Sequence, residues 1–150
     1  MERDTTFQAD LREGEAVELR FKDWLIWAGR HKVVEKVLGY HKAFDLVADG
    51  VVRYEVKFDR YAKEKRSPNL AFEYFYNGVP SGISTTTADY WVQFDGTYFY
   101  ILGVRQFKEW IVMQKPYLRR VHSGKGAQSI LIPSKYLAPL SFCEIVSDIG

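Results

Sequence analysis

Glu55-Val56-Lys57 sets a carboxylate and an ammonium two residues apart, and in a β-strand that spacing puts both on one face. Asp45 precedes them across an Asp49-Gly50 dipeptide, a strong hairpin signal. Two carboxylates on neighbouring strands form a donor set for a hard cation, because Mg²⁺ binds through one or two carboxylates and keeps several waters. An ion held in this way orients and polarises a water against a scissile phosphate. A lysine alongside lowers that water's pKa or neutralises charge building on the phosphate oxygens. The bland counterpart is a solvated strand face with a weak ion pair, which is what an isolated Glu-x-Lys usually means.

The hairpin decides between the two. Its strands read as AFDLVA (43–48) and VVRYEVKF (51–58), so Arg53, Glu55 and Lys57 project together while Val52, Tyr54, Val56 and Phe58 project oppositely. If Asp49-Gly50 is a two-residue turn, Ala48 pairs with Val51, Glu55 faces Phe44, and Asp45 falls on the wrong face. A three-residue loop over 48–50, or one bulge, pairs Asp45 with Arg53 instead and gathers Asp45, Arg53, Glu55 and Lys57 on one side. A metal site therefore demands an odd or bulged connection.

Around the hairpin the pattern predicts a helix over 8–29, with Val17, Phe21, Trp24, Leu25 and Ala28 at three- and four-residue spacing and Gly29 as its stop. Residues 30–41 read as a strand or a short helix. The segment YAKEKRSPN (61–69) reads as a loop, and Arg60, Lys63, Lys65 and Arg66 are positioned there to reach a phosphate backbone, although Asp59 and Glu64 dilute the basic run. LAFEYFY (70–76) is a strand, NGVPSG (77–82) a turn, and STTTADYWVQF offers caps for a short helix or turn. TYFYILGV (97–104) is a strand joined to WVQF through Asp95-Gly96, RQFKEWIVMQK (105–115) a helix, and LRRVHSGKGAQ (118–128) a basic loop before a strand in SILIP. Arg119, Arg120 and Lys125 make that loop a candidate DNA clamp. Glu73 shares a face with Ala71 and Phe75, where it serves as a partner for a cation or as an auxiliary metal or water contact.

Asp45, nine intervening residues and then Glu55-Val56-Lys57 resemble the motif of the PD-(D/E)XK, or restriction-endonuclease-like, nuclease superfamily, with Phe44 standing where that family usually carries a proline. Gly14-Glu15-Ala16-Val17-Glu18 resembles the Gly-x-x-x-Glu of archaeal Holliday-junction resolvases, which makes Glu18 the expected third acid and Glu15 its reserve. The order of elements over residues 12–104 is similar to that core, and LAFEYFYNGVPSGISTTTADYWVQF resembles a segment of small phage-type members. The resemblance implies one α/β domain over residues 1–150, with a mixed central sheet flanked by helices. It implies Mg²⁺, replaceable by Mn²⁺, held by Asp45 and Glu55 with the Val56 carbonyl as a further ligand, Lys57 positioning or activating the water, and Glu18 completing the site. It implies DNA as partner, with Ser84, Thr85 and Thr86 as phosphate-contacting hydroxyls at a helix start. The activity implied is endonucleolytic, on branched or site-specific duplex DNA, by a homodimer or larger assembly.

Bulk properties exclude several alternatives. The chain has one cysteine, Cys143, so neither an intramolecular disulfide nor a Cys-based zinc site is available. Three histidines without ligand spacing argue against a His-based metal site, and no phosphate-loop or nucleophile-elbow motif occurs. No apolar run is long enough to span a bilayer, and the charged N-terminus lacks a signal core, so the expected setting is the cytoplasm, that of the host if the chain is phage-encoded. A net charge of +2 is too small to argue nucleic-acid binding by itself. Aromatic residues at 16% suit a core, a subunit interface or base stacking. A non-catalytic DNA-binding or interaction domain on a degenerate nuclease fold is the alternative.

Overall fold

The computed structural model describes residues 2–39, 44–122 and 126–147, with side chains from residue 8 onward. Helix α1 (Glu2–Trp27) begins earlier than its apolar spacing suggested and stops where expected, at Gly29 with φ 71°. Val17, Phe21 and Leu25, four residues apart, form its buried stripe. Strands β1 (Val34–Lys36), β2 (Leu46–Ala48) and β3 (Val52–Phe58) follow, which settles the ambiguous 30–41 segment as containing a strand.

Three readings of connecting segments are corrected. The segment expected as a loop at 61–69 opens as helix α2 (Arg60–Lys65), because Asp59 caps it: Ala62 N–H donates to Asp59 Oδ1 at 3.0 Å. After β4 (Asn69–Tyr76) and β5 (Val79–Pro80), residues Gly82–Ser84 form a short 3₁₀ turn and the chain then extends into β6 (Tyr90–Phe94), so no helix starts at Ser84–Thr86. Beyond β7 (Tyr98–Gly103) and α3 (Val104–Gln114), the segment 118–128 expected as a basic loop contains β8 (Arg119–His122) and the first two residues of β9 (Ala127–Pro133), with which β8 pairs. Helix α4 (Ser134–Leu137) and β10 (Cys143–Ser147) complete the described chain, and β10 had no expectation behind it.

The strands form two sheets. The larger has the order β1-β2-β3-β6-β7-β10 and is mixed, because β3 and β6 run parallel while the other neighbours are antiparallel. The smaller is the antiparallel set β5-β4-β9-β8. One face of the large sheet packs on α1 through Phe21, Tyr54, Val92, Phe94 and Phe99; Phe21 meets Tyr54 and Phe99 with ring centroids 5.5 Å from each. The other face, with Trp91, Tyr100 and Leu102, packs against α3 and the small sheet. Covered on both sides, β6 is buried from Trp91 to Phe94, as the apolar run WVQF suits.

Gln93 is the polar exception in that strand, and its groups are all matched. Its Oε1 accepts from Trp91 Nε1 at 2.8 Å, and its Nε2 donates to the Ala71 carbonyl at 2.8 Å and to Asp59 Oδ2 at 3.1 Å. Asp59 also accepts from the Ala71 N–H at 2.8 Å. A buried carboxylate thus ties together the end of β3, the start of α2, β4 and β6, and being fully hydrogen-bonded it holds the sheets in one arrangement.

Phe21 is the keystone of the α1 face, with no exposed surface. Phe21→Ala is expected to cost about 3–5 kcal/mol in urea unfolding, the usual range for emptying a buried phenylalanine site. A loss under about 1 kcal/mol would mean that α1 does not hold the sheet.

Candidate functional site

The hairpin meets the demand placed on it, with the extra residue one position later than expected. Ala48 pairs with Val52 and Leu46 with Tyr54, which makes Asp49-Gly50-Val51 the three-residue connection rather than 48–50. Asp49 and Gly50 have φ of 51° and 72°, the two positive values of a type I′ turn, and Val51 N–H closes it onto the Ala48 carbonyl at 3.0 Å. Asp49 tolerates its conformation because its carboxylate is anchored: Oδ1 accepts from Lys32 and Val33 N–H, both at 3.0 Å, and Oδ2 contacts His31 Nδ1 at 3.0 Å. Val51, exposed, is the extra residue that sets the parity.

At the far end the strands are unequal. β2 starts at Leu46, opposite Tyr54, so Glu55 to Phe58 run past it and leave the β3 edge open. Asp45 closes that edge. Its N–H donates to the Tyr54 carbonyl at 2.9 Å while its carbonyl accepts from Val37 N–H at 2.8 Å, so its two main-chain groups serve strands on opposite sides. Its Oδ2 accepts the Val56 N–H at 2.8 Å, in place of a ladder partner. Asp45 is buried, with 5% of its surface exposed.

Beside it stand the two other members of the motif. Lys57 Nζ lies 3.6 Å from Glu55 Oε1, with the lysine side chain half exposed and the glutamate nearly buried. Burial, above all, pushes the Glu55 carboxyl up, Lys57 opposes it and the hydrogen-bonded Asp45 adds to it, and together they move it from 4.5 to about 8. In the metal-free protein at neutral pH Glu55 is therefore held towards its protonated form. Two acidic oxygens held in contact in this way are a hard-donor pair, and Mg²⁺ needs no more than two carboxylates from protein.

A cleft of about 630 Å³ opens over this edge, lined among others by Asp45, Val56, Lys57, Glu15, Glu18 and Lys36. Glu18 is buried and Glu15 exposed, and Lys36 Nζ approaches both, at 3.7 and 3.9 Å. Glu18 and Asp45 line the same cleft from α1 and from the edge of β3. Lys36 is the site residue that sequence reasoning missed; it sits in the one segment whose period was ambiguous, and its pairing with α1 is a tertiary contact.

The residues expected to bind DNA are dispersed. Arg60 is engaged by Asp10 and by Glu13, the latter at 2.8 Å, and so fastens α2 to α1. Lys63 lies over the Phe58 ring at 5.6 Å. Lys65 and Arg66 are exposed at the end of α2. Ser84 Oγ donates to the Tyr74 carbonyl at 3.0 Å, Thr86 Oγ1 accepts from Ala88 N–H at 3.2 Å, and Thr85 ends the 3₁₀ turn; the helix terminus that was to aim these three hydroxyls at a phosphate is not formed. Arg119 and Arg120 are successive residues of β8 and so project from opposite faces. Lys125 lies outside the described residues. Glu73 accepts from Ser81 Oγ at 3.0 Å and lines a smaller cleft together with Lys57.

Comparison of the chain with protein-family models, with characterised proteins and with solved structures finds no match.

The Glu55 shift has a signed consequence. The folded state binds this proton more tightly than the unfolded chain, so the contribution is fully present below about pH 4.5 and is lost as pH rises towards about 8. In metal-free buffer Glu55→Gln is expected to gain stability relative to the parent protein between those limits, read as a difference in urea midpoint that widens from about pH 5 to about pH 8. A difference that stays constant over that window would show that burial does not raise the Glu55 carboxyl.

Proposed function

We propose that this chain is a metal-dependent DNA endonuclease that hydrolyses phosphodiester bonds of branched or site-specific duplex DNA. The observation that carries the reading is the convergence of Asp45, Glu55 and Lys57 on the open edge of β3. Further support comes from a first helix followed by the β2-β3 hairpin in a mixed sheet flanked by helices, which agrees with that part of the order that the PD-(D/E)XK resemblance implies.

Asp45 and Glu55 would hold Mg²⁺ or Mn²⁺, with the Val56 carbonyl at the same edge as a further oxygen. Bound there, the ion would supply Lewis acidity and orientation to a water attacking the phosphate. Asp45 is fixed for this role by the Val56 N–H, so its carboxylate does not need to reorganise. Glu55 would ligate as the carboxylate, its proton released to solvent, and Lys57 at 3.6 Å would stabilise that carboxylate. Half exposed at the mouth of the cleft, Lys57 also meets the incoming phosphate, positions the water and offsets charge growing on the phosphate oxygens. Glu18, lining the same cleft beside Lys36, would complete the site directly or through a water.

Lys65 and Arg66 at the end of α2 are free to follow the DNA backbone. No helix among the described residues is long and apolar enough to cross a membrane. One cysteine suits a reducing cytoplasm, the host's for a phage-encoded chain, and exposed aromatics such as Trp27 and Tyr117 suit assembly into a homodimer or larger oligomer. A second reading, a non-catalytic DNA-binding domain of the same architecture, is favoured by the Lys36 ammonium, which lies 3.7 Å from Glu18 in the cleft where a third acid would act.

Incubation with Mg²⁺ or Mn²⁺ and a panel of linear, single-stranded, flapped and four-way-junction DNA separates the two. Cleavage is expected on at least one branched or duplex substrate, and Asp45→Ala, Glu55→Ala and Lys57→Ala are each expected to lose at least about a hundredfold in rate while still binding DNA. Salt-sensitive binding with no cleavage of any substrate establishes the second reading, and undiminished cleavage by Asp45→Ala would sink the site assignment.

A further inference from the structure

A third cleft, remote in sequence from the acidic pair, is lined by three cations and no acid. Lys108 on α3 and Lys115 just past its end are seven residues apart, and Arg120 enters from β8. Among the described residues none of the three has an acidic partner; Lys108 Nζ contacts the Thr86 carbonyl at 3.4 Å. A place near the C-terminus of α3 accounts for Lys115 through the helix dipole. It does not account for Arg120 on a strand or for Lys108 in mid-helix. Like charges gathered around one cavity raise its potential and concentrate anions there.

Between the cations the lining is apolar and aromatic, with Tyr74, Ile83 and Ile111. The cavity measures about 440 Å³, within the usual range for a small-ligand site. Gln128 adds a polar edge: its Oε1 accepts from Tyr74 O–H at 3.2 Å, which leaves the amide Nε2 as a donor without a protein partner among the described residues. An anionic group beside a flat apolar body with acceptors on its rim is the chemistry of a nucleotide. Phosphate suits lysine and arginine, and a base suits an aromatic and aliphatic wall.

We propose that this cleft seats one unpaired nucleotide, its phosphate against Lys115 and Arg120 and its base against Tyr74 and Ile83. The inference rests on the DNA reading of the Asp45–Glu55–Lys57 site and names the feature of the substrate that the enzyme selects, an unpaired nucleotide at a branch or end. Lys57 and Phe58 line both the main cleft and the smaller one beside it. Glu73 and Ser129 of that smaller cleft alternate along β4 and β9 with Tyr74 and Gln128 of this one, so the nucleotide cleft opens on the other face of the small sheet.

The test is fluorescence anisotropy with EDTA present, so that binding is read without cleavage. The probes are a blunt duplex, the same duplex with a short single-stranded tail, and dAMP as competitor. The parent protein is expected to prefer the tailed duplex by about tenfold, the worth of one stacked base. Lys115→Ala/Arg120→Ala removes that preference and lowers the salt slope on the tailed duplex by about 0.7, for the one single-strand phosphate held between them. Arg105→Ala/Lys135→Ala, which removes equal charge outside the clefts, keeps the preference. Displacement of probe by dAMP that the Lys115/Arg120 variant loses, without tail preference, supports the cleft with a free nucleotide as its occupant. Equal affinity for both duplexes together with no dAMP competition overturns the proposal, as does a preference that the Lys115/Arg120 variant retains. Failure of the nuclease reading looks different, because tail preference then persists while Mg²⁺ yields no cleavage.

Discussion

The Val56 N–H has no strand beside it, because β2 stops at Leu46 while β3 continues to Phe58. A buried main-chain donor left unmatched costs on the order of 1–3 kcal/mol, and the Asp45 carboxylate removes that cost by accepting it at 2.8 Å. The same contact fixes where the acid sits. Asp45 is held against Glu55, whose carboxyl is raised to about 8, chiefly by burial, and Lys57 lies 3.6 Å from Glu55. One hydrogen bond therefore both completes the sheet edge and fixes where the Asp45 carboxylate sits.

Rigidity comes from behind this edge. Phe21 and its neighbours on α1 press on one face of β3, while the Asp59–Gln93–Ala71 network fastens its C-terminal end to β6 and β4. Lys57 lies between these anchors and opens onto two clefts, one towards α1 and one towards the small sheet. Gly82 shows how closely the small sheet is folded here. With φ at 53° it passes so near the Glu73 carbonyl that a Cβ would stand 2.2 Å from that oxygen, and a residue other than glycine would force the 3₁₀ turn away from β4.

Much of this was legible in the sequence where local pattern and tertiary demand agree. The Val17-Phe21-Leu25 stripe, the Asp-Gly turn and the Arg53-Glu55-Lys57 alternation each follow from one periodicity, and hairpin parity converted them into a statement about Asp45. Even so, parity alone did not say that Val51 rather than Ala48 would be the extra residue; that follows from positive φ at both Asp49 and Gly50. What was not legible depends on partners distant in sequence. Helix α2 is hidden by mixed charges and revealed by Asp59, whose capping role needs the buried network around Gln93. β8 reads as a loop because its strand character comes from pairing with β9, and β10 exists through β7. The Ser84–Thr86 hydroxyls suggested a helix start, yet the chain needed them for turn hydrogen bonds next to β4.

The central claim is that Asp45 and Glu55 together form a divalent-cation site. Isothermal titration of Mg²⁺ and of Mn²⁺ into the metal-free protein tests it without reliance on substrate. The account predicts one saturable site per chain, abolished in Asp45→Asn and in Glu55→Gln and retained in Glu73→Gln. No saturable binding to the parent protein, or binding that survives in Asp45→Asn, would contradict it.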